Sequence, residues 1–208
     1  MRTKSQTIAA FDFDGTLSYR DTLFFFLLYA KGPIKTFCYL LSHIHVLAAF
    51  LLGKMSHQET KERILKKFFK GESIEKVKEK GRAFALERLS SHLRPEGLKR
   101  IRWHLDQGHR CIIVSASLDV YLQPWAMSMG FHDVVSSRLE VTKEGKATGY
   151  LDGENCRGAE KIRRLTELLG GPLENYCLYA YGDSEGDKEL LEAADYPFYR
   201  TMPTESSG

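Results

Sequence analysis

The stretch Ile8-Ala9-Ala10-Phe11-Asp12-Phe13-Asp14-Gly15-Thr16-Leu17 decides how this chain is read. A short apolar run of this kind forms a buried strand. It ends in two carboxylates two residues apart, followed by a Gly-Thr turn. Side chains at i and i+2 leave an extended chain on the same side, so Asp12 and Asp14 both reach one small volume. Open α/β sheets place their ligands at that carboxyl end. Two adjacent carboxylates repel, and a hard divalent ion such as Mg2+, held by oxygen ligands, resolves the repulsion. Gly15 permits the backbone to bend sharply straight after the pair.

Outward from this stretch the pattern changes twice. Residues 22–52 are unusually apolar, from Leu23 through Tyr29, a break at Gly32-Pro33, then Ile34 to Leu52. The second piece approaches the length of a membrane span but carries Lys35, His43 and His45, which weigh against a true span. Residues 55–82 read as one mixed-charge amphipathic helical stretch, net basic, with Ser56 as N-cap and Glu59 three residues on.

From Arg94 helix and strand alternate. Pro95 opens a helix through Leu105 that ends at Gly108. Residues 111–114 form a short buried strand ending at Ser115. A helix over 119–129 stops at Gly130, Val134-Val135 starts a further strand, and residues 138–151 read as a hairpin around Glu144-Gly145. A helix over 159–169, a strand over 176–181, a helix over 186–194 and a last strand over 197–199 complete the series. Alternation of this kind predicts an α/β fold, a doubly wound, Rossmann-like, mostly parallel sheet with helices on both faces. Residues 1–20 and 94–208 would form the core. Residues 21–93 would be an α-helical cap inserted after the first strand, directly over the carboxylates. The tail at 204–208 reads as disordered.

At 208 residues the chain can bury a substantial core. It is 43% hydrophobic and 27% charged, an ordinary globular composition. A formal charge of +3, with no nucleic-acid-binding motif, gives no reason to expect nucleic acid as a partner. The cysteines, Cys38, Cys111, Cys156 and Cys177, are scattered without metal-ligand spacing. They read as small hydrophobic thiols in a reducing cytoplasm. No secretory apolar segment precedes the first strand.

Three further features fall where the sheet would deliver them to Asp12 and Asp14. Ser115 ends an apolar strand, where a hydroxyl can donate to a phosphoryl oxygen. Lys161 opens a helix and offers a compact cation to the equatorial oxygens of a transferring phosphoryl group. Gly182-Asp183-Ser184-Glu185-Gly186-Asp187 places two carboxylates at i and i+4 of a strand-to-helix turn. One can ligate a metal while the other steadies water or Lys161. The candidate metal ligands are therefore Asp12, Asp14, Asp183 and Asp187. Gly15 and Thr16 join Ser115 and Lys161 as candidate phosphate-binding residues. Taken singly, each feature has an ordinary structural explanation as a cap or a solvated charge; their order along the chain is what favours chemistry.

Asp12-Phe13-Asp14-Gly15-Thr16, Ser115, Lys161 and Gly182-Asp183 with Asp187 resemble the four motifs of the haloacid dehalogenase superfamily of phosphatases. The helical insertion is similar to the cap of its phosphoserine-phosphatase-like subfamily, IB. The resemblance implies Mg2+-dependent phosphomonoester hydrolysis through an aspartyl-phosphate on Asp12. It makes Asp14 general acid and then base, has Ser115 and Lys161 bind the phosphoryl group, and makes Asp183 a metal ligand, with Lys161 counted among the catalytic residues. Related P-type ATPases carry Thr where Asp14 stands, so Asp14 points to hydrolysis. The match departs at Ser115-Ala116-Ser117 and at the Ser-Glu-Gly of the last motif. Asp21 occupies the place of a substrate-binding Glu, and Arg63 is a candidate for a carboxylate-binding cap Arg.

The apolar run resembles the hydrophobic cap of bacterial phosphatidylglycerophosphate phosphatases of the same subfamily. Two readings of residues 22–52 stand: packing of the cap on itself and the core, or a peripheral contact with the inner face of a membrane beside basic residues. The substrate is accordingly a small phosphorylated metabolite such as phosphoserine, or a lipid phosphomonoester. Competing classes are a non-catalytic or membrane-associated regulatory module on a phosphatase fold, and a phosphotransferase.

Overall fold

The computed structural model describes residues 6–203. Its elements, in chain order, begin with strand β1 (Thr7–Phe11). Five helices follow: α1 (Thr22–Lys31), α2 (Pro33–Ser42), α3 (Ile44–Leu51), α4 (His57–Phe69) and α5 (Ile74–Glu87). Then come α6 (Pro95–Asp106), β2 (Arg110–Leu118), α7 (Asp119–Ser128), β3 (Asp133–Ser137), β4 (Leu139–Val141), β5 (Ala147–Leu151) and α8 (Ala159–Leu169). The series closes with β6 (Cys177–Gly182), α9 (Lys188–Glu192) and β7 (Tyr196–Tyr199).

The main sheet is five-stranded and parallel, in the order β3-β2-β1-β6-β7. Strand alternation sorts its side chains to two faces. Ile8, Ala10, Ile112, Val114, Leu178 and Ala180 meet Leu165 of α8 and Leu190 of α9. Ala9, Phe11, Cys111, Ile113 and Tyr181 meet Ile101 of α6 and Trp125 of α7. Both faces are covered, which is the doubly wound arrangement. β1 lies at the centre, with the chain extending through β2 to one edge and through β6 to the other. Its carboxyl end is the topological switch point at which such sheets bind ligands.

Between β1 and α6 the chain is helical, and here two expectations change. The stretch at 55–82 is two helices rather than one. The chain leaves α4 after Phe69, and Gly71 N–H donates to Ala147 O at 2.8 Å while Ala147 N–H donates to Glu72 O at 2.8 Å. The β4–β5 hairpin thus takes the backbone bonds that a continuous helix would have used. The run at 34–52 is likewise two helices, α2 and α3, separated at His43. At the helix opening this region the predicted cap is present: Ser56 Oγ accepts from Glu59 N–H at 3.1 Å and Glu59 Oε2 accepts from Ser56 N–H at 2.8 Å. After β6, the helix predicted over 186–194 is a short 3-10 turn, Glu185–Asp187, followed by α9.

The apolar run divides by fate. In α1, Phe26 and Leu27 are buried, and the Phe26 ring lies 5.1 Å from Tyr121 and 5.7 Å from both Phe69 and Phe84. In α2 and α3 the apolar side chains largely face outward: Ile34 is 79% exposed, Phe37 64% and Leu51 83%. Among the described residues no single helix is long and apolar enough to cross a membrane. Only α1 and α2 together reach that length and composition, and they are bent by 118°. Cys111 and Cys156 are buried and Cys38 is exposed, all as free thiols. The expectation for the tail at 204–208 lies outside the described residues.

Candidate active site

β1 stops at Phe11, and Asp12 N–H donates to Tyr181 O at 2.9 Å, fixing Asp12 at the carboxyl edge of the two central strands. Phe13 turns into the core, its ring 4.9 Å from Trp125, so its neighbours Asp12 and Asp14 face the opposite way. The turn closes as Leu17 and Ser18 N–H both donate to Phe13 O at 2.9 Å. Gly15 sits in this turn at φ +80°, and a Cβ there would lie 2.3 Å from Asp183 Oδ2. Only glycine lets the β1 turn approach the β6 turn this closely.

Lys161, the third residue of α8, reaches under the sheet edge and is buried. Its Nζ donates to Asp12 Oδ1 at 2.6 Å and to Asp187 Oδ1 at 2.5 Å. Asp187 Oδ2 accepts from Ser184 N–H at 3.0 Å and Ser184 Oγ at 2.9 Å, closing the β6 turn. Ligand oxygens of Asp12, Asp183 and Asp187 all lie within 4.8 Å of one another. Three converging carboxylates against one ammonium leave an excess of negative charge, and the donor set is the oxygen-only kind that hard divalent cations take. The residues present therefore fit such an ion.

The electrostatics differ sharply between neighbours. Burial pushes the Asp12 carboxyl up to about 6 despite the opposing Lys161 charge. Burial, then the Asp21 charge, pushes Asp14 up to about 7. Burial and the Asp187 charge raise Asp183. For Asp187 burial works upward but is outweighed by Lys161 and Ser184, so its carboxyl is lowered. Burial disfavours the Lys161 cation, yet Asp12 and Asp187 more than compensate and raise it.

Asp14 stands apart from the three-carboxylate group. Its Oδ1 accepts from Thr22 N–H at 2.8 Å and Thr22 Oγ1 at 2.6 Å, and its Oδ2 accepts from Ser117 Oγ. Expected among the metal-binding side chains, its carboxylate is here held by hydroxyls of α1 and β2, outside the group that Asp12, Asp183 and Asp187 form. Asp12, Asp14, Asp21, Ser115, Lys161 and Asp187 line one cavity of about 340 Å³. Ser115 lies within β2, which runs on to Leu118 rather than ending there, and its Oγ accepts from Ser117 N–H at 3.3 Å. Gly15 and Thr16, expected at the phosphoryl group, instead line a second cleft beside Asp183. Thr16 Oγ1 lies 3.4 Å from Asp12 Oδ2 and from Asp183 Oδ1, so its hydroxyl is occupied between carboxylates.

Asp21 is on the cavity rim, where its Oδ1 accepts from Leu23 N–H at 2.8 Å and caps α1. Arg63 is exposed and lines no part of the cavity. On α4 the positions facing the cavity are His57, Thr60, Lys61 and Ile64. At 3.6 residues per turn these share a face that excludes position 63. Sequence reasoning missed Lys61, Asn155, Arg157 and the holding roles of Thr22 and Ser117. The Asp21-Thr22 start of α1 was a usable signal for Thr22, since capping residues face the preceding turn. For Lys61 there was none.

A haloacid dehalogenase-like hydrolase model matches residues 9–192. The chain belongs to that family. This hydrolase is 35% identical over 193 residues to Protein CicA of Caulobacter vibrioides, covering 93% of this chain and 85% of the relative. Among solved structures it is similar to a protein of unknown function from Bordetella pertussis Tohama I, with TM-score 0.79 and 22% identity over 94% of this chain and 90% of that one. It also resembles a substrate-bound phosphoserine phosphatase, with TM-score 0.60 and 20% identity over 92% and 84% of the two chains. These structural likenesses establish the fold.

Proposed function

We propose that the protein is a Mg2+-dependent phosphomonoester hydrolase. The observation that carries this reading is the unlike environment of two carboxyls opening on one cavity. Asp12 is paired with a lysine, while Asp14 accepts from hydroxyl and amide donors and its carboxyl is pushed up to about 7. Asp12 faces the Lys161 cation while Asp14 is held by the Thr22 and Ser117 hydroxyls, an arrangement that suits the first to nucleophilic attack and the second to proton transfer. The structural kinship with a phosphoserine phosphatase supports the same chemistry.

In the proposed mechanism a carboxylate oxygen of Asp12 attacks phosphorus, and the phosphorus–oxygen bond to the leaving alcohol breaks. Asp14 gives its proton to that departing oxygen. Asp14, now anionic, takes a proton from water, whose oxygen attacks the aspartyl-phosphate and releases orthophosphate with Asp12 restored. Ser115 Oγ, whose own proton is not spent on Ser117, donates to a phosphoryl oxygen, and Lys161 neutralises charge beside Asp12. Asp12, Asp183 and Asp187 would hold Mg2+, which lowers the repulsion between the carboxylate and the phosphate dianion. Residues 21–93 would act as the cap whose inner surface, with Asp21 at its rim, selects the leaving group. The defining test is Asp12→Asn with p-nitrophenyl phosphate, where turnover should vanish; turnover retained by the variant removes Asp12 as nucleophile.

The exposed apolar faces of α2 and α3 favour a lipid phosphomonoester over a free metabolite. No Asp or Glu occurs from Thr22 to Gln58, while Lys35 and Lys54 are exposed there; Lys31 is paired with Glu72. An apolar, cationic surface of this kind suits an anionic bilayer. The protein is expected to sediment with vesicles containing anionic lipid and to stay in the supernatant with uncharged ones. Equal recovery in the supernatant under both conditions would rule the contact out.

A further inference from the structure

β2 is irregular at the place where it serves the site. Ser115 pairs with Ser136 of β3, but the next paired residue is Leu118, with Ser137, so Ala116 and Ser117 bulge out of the ladder. A bulge frees backbone groups from sheet bonding, and a carbonyl lifted out in this way needs another donor. The donor comes from the helical insertion. Lys61 on α4 donates from Nζ to Ala116 O, and also to Asn155 Oδ1 at 3.1 Å.

Asn155 is itself a junction between core and insertion. Its Oδ1 accepts from Ser137 Oγ at 2.9 Å, and its N–H donates to Gln58 Oε1 of α4 at 3.1 Å. Lys61 thus bonds to the one residue between the two hydroxyls the chemistry uses, Ser115 facing the cavity and Ser117 holding Asp14. Burial pushes the Lys61 ammonium down to about 8 against the pull of Asp14 and Asp21, in keeping with its inward position.

We infer that Lys61 is a positioning residue, a latch by which α4, seated on the core, sets the bulge at residues 115–117 and so aims the Ser115 hydroxyl at the phosphoryl group. The inference builds on the phosphatase reading but is tested without turnover. Orthophosphate binding is measured by calorimetry, with Mg2+ present, in the wild type, K61M, K61R, S115A and the K61M/S115A double variant. K61M should weaken binding about 10-fold, the lower end of what a lost charged hydrogen bond gives.

K61R, which keeps charge and donors, should recover most of that loss. In the S115A background K61M should cost no more than about twofold, because residues acting through one another are not additive. A direct attraction between Lys61 and phosphate would make the two losses multiply, and that result overturns the inference. So does K61M binding equal to the wild type. Should K61M not fold, as judged by its melting curve, K61Q carries the same comparison. A wild type that binds orthophosphate yet does not hydrolyse p-nitrophenyl phosphate counts against the phosphatase reading alone.

Discussion

Asp14 shows how much of the chemistry resides in one side chain's surroundings. It is fixed by Thr22 and Ser117 and pushed up to about 7 by burial and by Asp21. With an alkyl phosphate, whose departing oxygen needs a proton, kcat/KM should fall as pH rises through about 7. The sign follows because the acid form does the work and deprotonation removes it. Asp14→Asn separates the two displacements. With p-nitrophenyl phosphate, a good leaving group, the first step proceeds without an acid, and the second stalls without a base. Stopped-flow should show a burst of one nitrophenolate per site, then a steady rate lowered by about 10²–10⁴-fold. Steady turnover like the wild type's would exclude the assignment. The sequence made Asp12 and Ser115 legible because each sits at the end of a strongly apolar run, and Lys161 because it opens a helix. It put Asp14 beside Asp12 but did not show what holds it, because i and i+2 spacing fixes the side of the chain and not the hydroxyls a carboxylate finds there.

At the scale of elements, what decides function is the seating of α4. Gly149 of β5 lies at φ +88°, and a Cβ there would stand 2.3 Å from Lys66 Cα, so the hairpin and the helix touch backbone to backbone. Glu62 Oε1 accepts from Leu151 N–H at 3.2 Å beside this contact. Gly149→Ala meets both a conformational and a steric penalty and should lower stability by about 2 kcal/mol or more. Chemical denaturation reads this directly, and an unchanged midpoint would mean that the contact gives way freely. Helix existence was legible throughout the insertion, whereas the breaks at His43 and after Phe69 were not. Local pattern shows that residues 55–82 are amphipathic. The bonds from Gly71 and Glu72 to the hairpin are long-range and compete with helix continuation only once the fold exists.

For the whole molecule, stability depends on a polar knot beneath the sheet. Arg100 Nε donates to Tyr181 Oη at 2.6 Å, and Tyr181 Oη lies 2.8 Å from His104 Nε2. His104 Nδ1 in turn faces His109 Nδ1 at 2.7 Å. Burial, then the Arg100 charge, pushes His104 down to about 3. Its folded value lies below its unfolded one, so the unfolded chain takes up a proton that the native state refuses. Stability is full above the ordinary histidine range and is lost as pH falls through about 6.5 toward 3, at up to about 1.4 kcal/mol per pH unit. Asp12 and Asp14, both raised, titrate with the opposite sign over the same range, so the His104 contribution is read as the difference between wild type and His104→Gln in urea unfolding. That difference should change from about pH 7.5 to about pH 5 in the direction of lost stability for the wild type. An equally steep dependence in the variant would place the titration elsewhere.

The sequence by itself determined the order of strands and helices, the site at the end of the first strand and the helical character of the insertion. Those follow from apolar periodicity and from turn residues, which act over a few neighbours. Only the tertiary structure decided that Lys61 and not Arg63 enters the cavity, that Asp14 leaves the carboxylate cluster, and that α2 and α3 keep apolar faces outside. Each of these depends on the rotation of a helix about its own axis or the depth at which it packs. Contacts distant in sequence set both, so short-range pattern carries no record of them.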